Sequence, residues 1–145
     1  MIQRIQSVWL LVAGLLALAT FKISYFTATY KDASVHPFYT HNSDSLLIYI
    51  VIILLILISF GAIALFKKRP LQSRLCLLGI VLCIALVVLE DHQVDVIKDL
   101  PVYSPGSGTW MPGIALPILI IIPLILAMRG IRKDQKLVRS LDRLR

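Results

Sequence analysis

From Leu46 to Phe66 the chain runs for twenty-one residues without one charged side chain, and most of those residues are Leu or Ile. About 20 predominantly apolar residues are needed for a helix to cross a hydrocarbon core about 30 Å thick. Three further stretches approach that requirement: Ser7 to Phe26, Leu75 to Leu89 with its flanks, and Trp110 to Met128. Charged residues make up 16% of the 145, where a soluble domain carries about a quarter. The expected fold class is therefore all-α: an integral membrane bundle of four transmembrane helices over residues 1–128, followed by a basic tail over 129–145.

The first and last spans need separate argument. Val8 to Leu16 resembles the apolar region of a signal peptide, with Ala17, Leu18 and Ala19 as a small-residue cleavage site. Arg4 alone makes a thin basic region, however, and apolar character continues through Phe21 and Ile23, so a retained helix is expected. The fourth span holds Pro112, Pro117 and Pro123. Pro112 suits a helix start, while the other two each remove a backbone hydrogen bond and are expected to kink the span. Such breaks are tolerated where neighbouring helices satisfy the freed carbonyls, which favours a helix packed inside the bundle.

Cations are distributed asymmetrically. Arg4, the connector KKRPLQSR and the tail place twelve Lys or Arg on one side, against Asp134 and Asp142. The other side has Lys22, Lys31 and Lys98 against six acids: Asp32, Asp44, Glu90, Asp91, Asp95 and Asp99. The resulting charges, +10 and −3, make up the whole-chain +7. The positive-inside rule then puts both termini in the cytoplasm. Trp9 near the inner interface, and Tyr25, Phe26, Tyr30, Phe38, Tyr39 and Trp110 near the outer one, fit the aromatic belts of a spanning protein.

The opening MIQRIQSVWLL and the closing IRKDQKLVRSLDRLR resemble the two ends of a bacterial membrane family known as domain of unknown function 4293. The resemblance implies a small four-span protein of the bacterial inner membrane with a basic end, and implies no activity. Gln135 stands where the family pattern suggests Glu, which removes one negative charge from the tail.

Intramembrane ionisable residues usually mark transport or proton pathways. No Asp, Glu, Lys, Arg or His lies in the middle of a proposed span, and only one span is interrupted, so ion-coupled transport is not expected. Ser59 is the one clearly polar residue deep in the second span. Cys76 and Cys83, two helical turns and roughly 10.5 Å apart, lie too far from each other for a disulfide and read as packing residues. Gly79 with Cys83, and Ala13 with Ala17, are small residues at a spacing that lets helices approach closely.

His36, His41 and His92 fall on the acidic side with Glu90, Asp91 and Asp95, but match no fixed metal-ligand spacing. They read as hydrated loop residues, with Asp91 and Asp95 at the solvated end of the third helix. PGSGTW reads as turn chemistry ahead of the last span. No nucleophile, nucleotide or metal motif stands out, so neither enzyme activity nor a cofactor is expected.

The tail is ordered by helical periodicity. At about 100° per residue, Arg129, Arg132, Lys133, Lys136, Arg139 and Arg143 share an arc of roughly 120°, while Leu137, Val138, Leu141 and Leu144 lie on the other side. Gly130 reads as a bend that would let this amphipathic helix project or lie flat. Juxtamembrane cations contribute about 1 kcal/mol each near an anionic leaflet. These nine residues (the six cations with Leu137, Leu141 and Leu144) are the expected contact with lipid or a partner.

The functional expectation is a non-enzymatic accessory or structural subunit of a larger inner-membrane assembly. Its partners would be membrane lipids, including anionic headgroups, and a membrane protein or a second copy of the chain. The alternative is a self-contained binding or transport module for a hydrophobic small molecule. A nucleic-acid or ribosome contact is permitted by the basic face, but the tail has no aromatic residues for base stacking.

Overall fold

The computed structural model describes residues 2–31, 34–39, 46–66, 68–101 and 103–142. Four helices dominate: α1 (Ile2–Ala19), α2 (Leu46–Ala64), α3 (Arg69–Lys98) and α4 (Leu116–Asp142). Each packs on its neighbour in sequence, and α1 closes the ring against α4. Ile-rich α2 would have ordinary strand propensity in water. In lipid a helix satisfies every backbone polar group within the segment, and that requirement outweighs side-chain preference.

The spans Leu46–Ala64, Arg69–Lys98 and Pro112–Val138 are long and apolar enough to cross a membrane, while Ile5–Ala19 is a shorter apolar helix. On α3 the arrangement of faces is inverted relative to a soluble helix. Leu77, Val81, Ile84 and Val88 point outward, whereas Gln72, Cys76, Gly79 and Cys83 point into the bundle. Outward aliphatics of this density are stable against lipid tails, and small inward residues let the helices close up. A Cβ on Gly79 would stand 3.1 Å from Leu124 Cδ1, so α3 and α4 approach closely here and a side chain at 79 would make Leu124 shift slightly. Ala13, Ala17, Cys76 and Cys83 join Leu10, Leu55, Ile120 and Leu124 in the main core.

The all-α expectation needs correction, because a three-stranded antiparallel sheet caps one end of the bundle. Its order is β2 (Val35–Phe38), β1 (Phe26–Tyr30), β3 (Tyr103–Trp110). The first span accordingly ends at Ala19, and Phe26 begins a strand instead of ending a helix. PGSGTW lies within β3 and is not a turn. Gly108 pairs with Ala28, and the Phe26 ring occupies the space a Cβ at 108 would fill. Thr27 and Thr109 share a 2.7 Å hydroxyl hydrogen bond across the same pair of strands. Pro37 is tolerated because β2 is an edge strand. Tyr25, Phe26 and Ala28 pack against Val94 and Ile97, seating the sheet on the last turns of α3.

Pro112 starts a helical segment as expected, opening a 3-10 turn (Pro112–Ala115), but Pro117 departs from expectation: it is the second residue of α4, where its missing N–H costs nothing. Only Pro123 lies inside a helix. At the opposite end, Gln72 donates from Nε2 to the Ala62 carbonyl at 3.0 Å, satisfying an orphan acceptor in the last turn of α2.

Candidate functional site

The sequence directs attention to the end of the bundle where the termini meet. Leu116 to Met128 is apolar, and α4 then continues without a break past Arg129 to Asp142. Gly130 is therefore not a bend. A Cβ there would stand 2.9 Å from Gln6 Cγ, so glycine serves to admit the Gln6 side chain from α1. Gln6 Nε2 donates to Asp134 Oδ2 at 2.7 Å, one turn further along α4. Both residues are buried, Asp134 at 6% exposure, and Ile131 beside them is fully buried. The first turns of the tail are thus held against α1 by a charge-assisted hydrogen bond and an apolar contact.

The side chains of Arg129, Arg132, Lys133 and Lys136 are exposed around this seat. Ile131, Asp134 and Val138 lie on one helical face at about 100° per residue. Packing covers the first two, and Val138 is exposed. Leu137 is 49% exposed. The backbone of α4 includes Arg139 and Leu141, whose side chains lie outside the described residues, as do Arg143 and Leu144 altogether. Gln135 is half-buried, and its Nε2 has no hydrogen-bond partner among the described residues.

The residues that seat the tail were legible only in part. Asp134 is an acid within a run of cations, which hints at a structural partner, but nothing in the spacing identifies Gln6, 128 positions away.

At the sheet end, His36 and His92 are exposed, and His41 lies outside the described residues. No group of three or more His, Cys, Asp or Glu gathers among the described residues. Asp91 and Asp95 are exposed as expected, but the hydrated role for Glu90 is overturned. Its side chain is 1% exposed, and Oε2 has no hydrogen-bond partner among the described residues. Glu90 continues the inward stripe of Cys76, Gly79, Cys83 and Leu86, which runs on to Val94 and Ile97. Extending that stripe by one step would have found it. Cys76 and Cys83 are buried free thiols.

These features define a class: a helical bundle in which three helices are long and apolar enough to cross a membrane, capped by a small sheet at one end and extended by its last helix at the other. The chain belongs to the family described as domain of unknown function (DUF4293), matching it over residues 2–144. Neither the curated proteins nor the solved structures yield a match.

Proposed function

We propose that this protein is a non-enzymatic accessory subunit of a larger assembly in the bacterial inner membrane, with both termini in the cytoplasm. The observation that carries this reading is the unbroken continuation of α4. The hydrogen bond from Gln6 to Asp134 and the burial of Ile131 fix the direction in which the cationic helix leaves the bundle. A chain end serving only as a topology signal needs charge and no such seat. Exposed Leu137 and Val138, next to Lys133 and Lys136, offer an amphipathic surface to a cytoplasmic partner or to the anionic inner leaflet. The outward aliphatic faces of α2 and α3 suit lateral packing with another membrane protein or a second copy.

The test is to replace Leu137, Leu141 and Leu144 with Ser together, leaving every cation in place. Complete burial of a leucine contributes about 1.5–3 kcal/mol. The triple variant should lose a partner recovered with the wild type in mild detergent, or lose protection of the tail by the membrane, while the spans remain inserted. Unchanged partner recovery and unchanged protection would reduce the tail to a retention signal.

A further inference from the structure

A cleft of about 340 Å³ opens on the side of the bundle below the sheet, lined by Val87, Val88, Asp91, Trp110 and Ile114. Its depth in the membrane can be read from α3. The outward residues Leu77, Val81, Ile84 and Val88 follow a spacing of four, three and four, and the next step of three reaches Asp91. Asp91 is thus the first charged residue on the lipid-facing stripe, at the level where hydrocarbon gives way to headgroups. Trp110 at the same level is the residue type that favours this boundary.

The cleft is built from three separate elements. Val87, Val88 and Asp91 come from α3, Trp110 from the end of β3, and Ile114 from the 3-10 turn that follows. Trp110 is held by edge-to-face contact with Phe26, at 5.6 Å between centroids, and by Lys98 Nζ at 5.5 Å from its ring centre. Lys98 in turn pairs with Asp95 at 3.6 Å. Asp91 lines the cleft and has no ion pair among the described residues.

We infer that this cleft binds a phospholipid whose headgroup carries a primary ammonium, with the ammonium at Asp91 and Trp110 and the upper acyl chain against Val87, Val88 and Ile114. An ammonium gains from a carboxylate and from the face of an indole, and both are present. Asp91 distinguishes the headgroups: it attracts one that carries an ammonium and repels one whose only charge is the phosphate's. The inference rests on the bundle lying in a bilayer and is independent of any role for the tail.

Native mass spectrometry of the full chain, released from detergent after incubation with phosphatidylethanolamine or phosphatidylglycerol, tests it. The wild type should retain the ethanolamine lipid about two- to fivefold over the glycerol lipid, as one partly exposed ammonium contact predicts. Asp91→Asn should abolish that preference, Asp95→Asn should keep it, and Val88→Trp should reduce retention of both lipids by filling the cleft. Helical content by circular dichroism checks that each variant folds, and Val88→Trp keeps the test open if Asp91→Asn does not. Equal retention by the wild type, a preference surviving Asp91→Asn, or cross-linking of a Cys at position 88 to another protein's helix would each overturn the assignment.

Discussion

Gln6 and Asp134 meet at 2.7 Å across 128 positions, joining the first helix to the last turns of the fourth. Buried hydrogen bonds to a charged group contribute about 1.5–3 kcal/mol. Measured couplings between membrane helices are smaller, averaging about 0.6 kcal/mol. Gln6→Leu leaves the Asp134 carboxylate buried and unpaired, so it should cost more than Asp134→Asn. In a double-mutant cycle of Gln6→Leu with Asp134→Leu, the pair should lose about 1–2 kcal/mol less than the sum of the single losses. Unfolding in mixed micelles measures this, and additive losses would show that the two side chains do not depend on each other.

Gly130 is expected to behave unlike a glycine in an ordinary helix. Glycine to alanine within a helix normally stabilises by up to about 1 kcal/mol. Here the new methyl would crowd Gln6 Cγ, 2.9 Å away, and displace the amide from Asp134. Gly130→Ala should therefore be neutral or destabilising in the wild type and stabilising in a Gln6→Ala background. Stabilisation of equal size in both backgrounds would remove the close-approach role.

Glu90 should be replaceable with profit. A buried polar atom left without a partner costs about 1–3 kcal/mol, and Glu90 Oε2 is such an atom. Glu90→Leu, lying between Leu86 and Val94 on the same stripe, should raise the thermal midpoint. Glu90→Lys should lower it and loosen the sheet from α3, seen as faster hydrogen exchange in Phe26–Tyr30. A lower midpoint for Glu90→Leu would mean that the carboxyl has a partner not among the described residues.

Orientation can be read by cysteine labelling with an impermeant reagent in intact cells. Cys76 and Cys83 are fully buried, so they should add little background. A Cys at 95 should be labelled and a Cys at 133 should be protected until the cells are opened. The reverse pattern would invert the cytoplasmic placement of the termini.

Four apolar helices were legible because they depend on local composition, although the first, Ile5–Ala19, is shorter than the three that are long enough to cross a membrane. The run Leu46–Phe66 is long and apolar enough to cross lipid, and in lipid no other local structure would satisfy its backbone. The inward stripe of α3 was visible at Cys76, Gly79 and Cys83 for a similar reason, as small residues at helical spacing. The sheet was not visible. FTATY in β1 is rich in strand formers, but β2 contains Pro37 and β3 contains Pro105 with two glycines, so neither partner strand carries a signal of its own. Pairing among three segments separated by up to two helices supplies what local propensity lacks.

The tail shows the same division. Amphipathic order from Arg129 onward follows from periodicity along a single helix, so the sequence by itself determined that a cationic helical end exists, along with the helices and the charge asymmetry between the two ends of the bundle. The bend assigned to Gly130 failed because glycine permits both flexibility and close approach, and only the position of Gln6 on another helix distinguishes them. Tertiary structure alone decided that Glu90 is enclosed, that Phe26 lies over Gly108, and that Asp134 ties the tail to α1. Periodicity along one helix records which residues share a face. What covers that face is set by segments far away in the chain, and that information exists only once the helices have packed.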